Sequence, residues 1–206
     1  MKVFVIIVAA FINLSLLAGG IEDKLPILLK SIDQSADVVD IDKAIASISQ
    51  LQTTNKNEWL LDYYKAVALI KKFELTMDVA TQLSVFKQLD GLFANAETQY
   101  PTNSELYALK ANYLLKKSRI TNSDMGQYGQ QAIIKAFQTA KELDKNNPRA
   151  FLVSATYYLR SGEKDLSKQN AAQAVELYNA QTQQEKATYP RWGENLANVL
   201  VKKLQY

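Results

Sequence analysis

The chain has 206 residues, 48% of them hydrophobic, and its 24 basic and 21 acidic side chains leave a net charge of +3. That apolar fraction suits a packed core and argues against disorder, while the small charge gives no reason to expect nucleic acid, which would need a clustered basic face. With no cysteine and no histidine, disulfides, a Cys nucleophile, a Ser-His-Asp triad and any Cys or His metal site are excluded, so no metal or cofactor is expected and catalysis could draw only on carboxylates, Lys, Tyr and Ser.

The chain opens with Lys2, then an apolar run from Val3 to Leu17 broken by Asn13 and Ser15, then Ala18-Gly19-Gly20. A short charged start, an apolar stretch and small residues at a cut site form the pattern of a secretory signal. Residues 1–20 are therefore expected to be removed, which places the mature protein in the periplasm or outside the cell. An uncleaved anchor is the rival, but a spanning helix needs about 20 predominantly apolar residues. Residues 21–206 suit one domain. No membrane span is expected after cleavage, because Asp62, Lys65, Lys71, Lys72 and Glu74 interrupt the apolar stretch 59–75.

From residue 21 onward the apolar spacing is helical. It predicts nine helices, near 23–33, 37–52, 57–74, 78–99, 103–118, 125–144, 148–160, 163–178 and 190–205. In the fourth, Val79, Leu83, Phe86, Leu89, Phe93 and Ala96 form one stripe, and Asp78 is the expected N-cap. Pro101 ends that helix just before it. Asn147 should cap the seventh helix with Pro148 at its first turn. Gly162 should close it in a left-handed conformation, and Pro190 should open the ninth.

Small residues recur along the chain. Ala66 to Ala111 is 45 residues, Ala111 to Ala155 is 44, and Pro148 to Pro190 is 42. Periods of this size point to stacked helical hairpins, each of which needs its neighbours to bury its apolar face. Phe151, Ala155, Tyr158, Ser167, Ala171 and Ala174, with Gly162 in the turn, carry a resemblance to the tetratricopeptide repeat family. Phe137 and Ala140 match its second helix one unit earlier, and Ala140 to Ala174 is 34 residues, the family's own period. Phe93, Ala96 and Pro101, then Tyr107 and Ala111, match before that. Ala171 replaces an aromatic, and the 118–124 loop is longer than the family uses. The layout is similar to small exported bacterial proteins of this family without a characterised function, through Asn57-Glu58-Trp59-Leu60, Asn146-Asn147-Pro148-Arg149 and Tyr189-Pro190-Arg191-Trp192-Gly193. The resemblance implies an all-α, right-handed superhelical solenoid of helical hairpins.

In such an array the first helix of each pair lines the concave side. Counting from the small residue of each first helix gives Tyr63 and Lys71, then Glu105, Asn112 and Lys116, then Arg149, Thr156 and Arg160 as inner-face positions. They outline a mixed polar groove for a protein or peptide partner, and the rival reading makes them ordinary solvated residues. A carboxylate clamp of the kind some tetratricopeptide proteins use is not expected, because Asn112 fits its pattern but Ala108 and Val153 do not. Tyr107, Tyr113 and Tyr158 fall at core spacing. Trp59 and Trp192 are expected as wedges between repeats. Glu22-Asp23 suit a helix first turn better than an acid/base couple. The expectation is a non-enzymatic interaction scaffold. The alternatives are a glycan or small-molecule binder or hydrolase using Tyr and carboxylates, and a structural envelope protein with a large apolar patch.

Overall fold

The computed structural model describes residues 21–55, 58–120, 127–182, 190 and 192–204. The expected signal segment lies outside them. Among the described residues there are nine helices and no strand: α1 (Ile21–Gln34), α2 (Val38–Thr54), α3 (Trp59–Leu75), α4 (Val79–Gln99), α5 (Ser104–Ile120), α6 (Gln127–Leu143), α7 (Pro148–Ser161), α8 (Lys164–Ala180) and α9 (Glu194–Leu204). The all-α class and the helical-hairpin pattern are as the periodicity requires. None of these helices is long and apolar enough to cross a membrane.

The chain divides into two compact units, Met1–Leu89 and Asp90–Tyr206, with the boundary inside α4. In the first, α2 packs on both α1 and α3. Leu28 and Ile32 of α1, Ile41, Ala44 and Ile48 of α2, and Leu61, Ala66 and Leu69 of α3 are its buried apolar side chains. Phe73 of α3 meets Phe86 of α4 with ring centroids 4.9 Å apart. In the second unit α5 packs on α6 and α7, α7 on α6 and α8, and α8 on α9. Contact with both the next helix and the next but one is how stacked hairpins build a continuous core. Ala111, Ala140, Ala155, Ala171 and Ala174 are all fully buried there; a methyl side chain lets two helix backbones approach closely.

The breaks follow local chemistry. Asp78 accepts from the backbone N–H of Thr81 at 2.8 Å, as an N-cap should. Asn147 Oδ1 accepts from the N–H groups of Arg149 at 2.9 Å and Ala150 at 3.3 Å. Gly162 sits at φ 86°, and the N–H of Glu163 donates to Tyr158 O at 2.9 Å, closing α7 with a left-handed residue.

Two expectations are corrected. Pro190 does not open the last helix: α9 begins at Glu194, after Gly193 turns the chain at φ 108°. The expected stripe of α4 is buried only from Phe86 onward, and Val79 and Leu83 are 64% and 58% exposed. Helix α3 ends at Leu75 and its ring contact with α4 is at Phe86, so the first two turns of α4 precede the packed part of the hairpin.

Candidate functional site

Of the eight residues expected on an inner face, Tyr63 and Lys71 belong to the first unit. Tyr63 is fully buried, packed edge-on against Trp59 and Tyr64 at 5.9 and 5.4 Å. Its ring fills core, so it is not a surface contact. Lys71 lies half-buried on α3.

The other six lie on α5 and α7, two helices that pack together. Glu105 and Arg149 are buried at 8% and 2% exposure and form an ion pair at 3.0 Å. They hold the same place in successive repeats. Because stacking brings equivalent positions of neighbouring hairpins face to face, opposite charges there pair with each other instead of facing a partner. The Arg149 guanidinium also lies 5.6 Å from the centroid of the Tyr178 ring, and the Tyr178 hydroxyl donates to Trp192 O at 3.0 Å. Burial holds the Tyr178 hydroxyl well above its ordinary pKa, with Arg149 acting in the opposite sense. This cluster joins α5, α7, α8 and the turn before α9, and its role is structural.

Arg160 and the remaining residues make a surface. Arg160 Nη1 donates to Leu115 O at 2.7 Å and to Ser118 Oγ at 3.0 Å. The guanidinium thus lies beside the C-terminal turns of α5, the negative end of that helix. Burial, then the neighbouring Arg119 charge, lowers the Arg160 pKa. Lys116, Lys117 and Arg119 stand on the same last turns of α5, so with Arg160 this end of the α5–α7 pair carries four cations, of which Lys117 is paired with Asp90 at 2.7 Å. Asn112 is half-buried on α5. The Thr156 hydroxyl donates to Leu152 O at 2.9 Å. Arg119 was not anticipated; its sequence signal was its place three residues after Lys116.

Aromatic side chains lie on the same helix. Tyr157 and Tyr158 are half-buried, 5.6 Å apart in an edge arrangement, and each meets Phe137 of α6 at 5.7 and 5.9 Å. Burial, then the charge of Glu163, raises the Tyr157 pKa. Trp192 packs against the clusters around both Ala155 and Phe137, which suits a wedge between hairpins. Tyr113 is 2% exposed, and its hydroxyl donates to Asp90 Oδ1 at 2.7 Å.

A second polar cluster was missed. Lys141 Nζ of α6 donates to Ser154 Oγ of α7 at 2.7 Å and to Asn170 Oδ1 of α8 at 2.6 Å. The signal was present: Lys141 follows Phe137 by four residues and Ile133 by eight, which puts a charge on the apolar stripe.

No family model matches the chain, and no curated protein matches it. Among solved structures, the HusA haemophore from Porphyromonas gingivalis is similar, with 19% sequence identity and a TM-score of 0.72 over 91% of this chain and 96% of that one. At that identity the likeness establishes a shared helical fold.

Proposed function

We propose that this chain is an exported, non-enzymatic binding protein of tetratricopeptide type that holds its partner on the α5–α7 face. The observation that carries the reading is the reach of Arg160 across to Leu115 O and Ser118 Oγ, which gathers Lys116, Arg119 and Arg160 at one end of a helix pair. The two half-buried tyrosines of α7 add apolar ring surface. Such a face favours a partner with acidic and apolar groups together. In the test, partners are captured by cross-linking in intact cells with the wild-type chain and with Lys116→Glu/Arg119→Glu. Neither change breaks the hydrogen bonds from Arg160 that tie α7 to α5. Reduced capture is expected, and unchanged capture would move the site elsewhere.

Likeness to a haemophore favours a second reading, in which the cargo is a porphyrin. The residues present fit in part. Tyr157 and Tyr158, half-buried on α7, offer rings for a flat apolar ligand, and the cations Lys116, Arg119 and Arg160 offer partners for its carboxylates. With no His or Cys in the chain, iron ligation would fall to Tyr or Met. Titration of residues 21–206 with haem and with metal-free protoporphyrin, followed by absorbance and Trp fluorescence, separates the contributions. Saturable binding of both assigns the site to ring and carboxylate contacts, and binding of haem alone assigns it to the iron. Saturation by neither excludes this reading.

A further inference from the structure

We propose that Lys141, Ser154 and Asn170 form a proton-adaptable joint that clamps α6, α7 and α8 and can lose one proton without opening. The joint is separate from the α5–α7 face and stands whatever that face binds.

The Lys141 ammonium has three N–H bonds. Two are used by Ser154 Oγ and Asn170 Oδ1. The charge also lies 4.5 Å from the centroid of the Phe151 ring and 5.4 Å from that of Phe137, contacts that favour a cation. The Ser154 hydroxyl donates to Asn170 Oδ1 at 2.9 Å, and Asn170 Nδ2 donates to Leu166 O at 2.8 Å. Ser154 is fully buried and Asn170 nearly so, so an unmade bond here would be expensive.

Removing one proton leaves an amine with two N–H bonds and a lone pair. One N–H still meets Asn170 Oδ1. The Ser154 hydroxyl can rotate to donate into the lone pair across the same 2.7 Å. No heavy atom has to move, and each buried polar group of the triad keeps a partner in both states. A carboxylate in place of Asn170 would instead lock the proton on.

No ion pair involves Lys141 among the described residues. The charged groups on the surrounding helices are engaged or exposed. Glu142 of α6 and Asp165, Lys168 and Glu176 of α8 are exposed. On α7, Arg149 is paired with Glu105 and Arg160 is bonded to α5. Lys110 of α5 is paired with Glu97. Burial alone pushes the Lys141 amine from its ordinary 10.5 to about 8. The folded pKa then lies below the unfolded one. Between about pH 8 and 10.5 the unfolded chain binds more protons, so stability rises with pH across that window.

The test uses residues 21–206 with 15N-labelled lysine. The Nζ shift of each lysine is followed against pH, and Lys141→Met identifies the Lys141 signal by its loss. Titration near pH 8 is expected, well ahead of the other lysines. Asn170→Asp should carry it back above pH 10, and Lys141→Met should remove the rise in urea midpoint between pH 8 and 10. Titration of Lys141 together with the surface lysines would overturn the proposal. So would loss of amide protection in α6, α7 and α8 as pH passes 8, since the joint would then open on losing its proton.

Discussion

Asn147 holds two places at once. Its Oδ1 caps α7, and its Nδ2 donates to Ser104 Oγ at 2.8 Å, which in turn donates to Ala140 O at 2.8 Å. The side chain is 1% exposed, so Asn147→Ala loses the cap and leaves buried groups short of a partner; urea denaturation should show a loss of about 2–3 kcal/mol. The two glycines with positive φ separate in the same way. Nothing lies within 4 Å of a Cβ placed on Gly162, so Gly162→Ala carries only left-handed strain, about 1 kcal/mol. A Cβ on Gly193 would collide with the Tyr178 hydroxyl and stand 2.8 Å from Leu152 Cδ2. Gly193→Ala should therefore destabilise by about 3 kcal/mol. Equal losses for the two variants would deny the close approach at Gly193. Sequence alone distinguished these sites incompletely: Asn-Pro and a helix-closing glycine are local signals, whereas the collision at Gly193 depends on a tyrosine fifteen positions earlier.

Between elements, the pairing of equivalent repeat positions decides what the inner face can be. Helix spacing was legible because apolar residues recur at three and four, and the alanines showed which helices approach closely. The pairing of Glu105 with Arg149 was not read, although both stood at the same repeat position with opposite charge. The count from the small residue of each first helix gives the direction a side chain takes from its own helix, and not what the next helix sets opposite it. The ion pair takes Glu105 and Arg149 off the surface, Tyr63 is buried beside Trp59 and Tyr64 of its own helix, and Arg160 stays beside Lys116 and Arg119. The ion pair itself is open to test. Arg149→Met alone would strand a buried carboxylate and should cost about 3–5 kcal/mol, whereas Glu105→Leu/Arg149→Met should return to within about 1 kcal/mol of wild type. A double variant no more stable than the single one, by urea denaturation, would mean that the pair contributes more than its own desolvation.

At the scale of the whole chain, a protein with no cysteine depends on apolar burial and helix-to-helix contacts for its stability, and in stacked hairpins those contacts are mostly between near neighbours in sequence. Damage in one place should then spread only as far as the cooperative unit that contains it. The two compact units offer a direct check. Phe137 is 1% exposed among Ala111, Leu115, Ile133, Ala136 and Val153, all in the unit from Asp90 to Tyr206. Phe137→Ala empties a ring-sized volume there and should cost about 3–5 kcal/mol. Leu61 is fully buried in the other unit, and Leu61→Ala should cost about 2–5 kcal/mol. Native-state amide exchange reads each helix separately. With Phe137→Ala, protection should fall in α5 to α9 and persist in α1 to α3; with Leu61→Ala the pattern should reverse. If either substitution lowers protection equally across all nine helices, the chain opens as one cooperative block, and the division inside α4 has no energetic meaning.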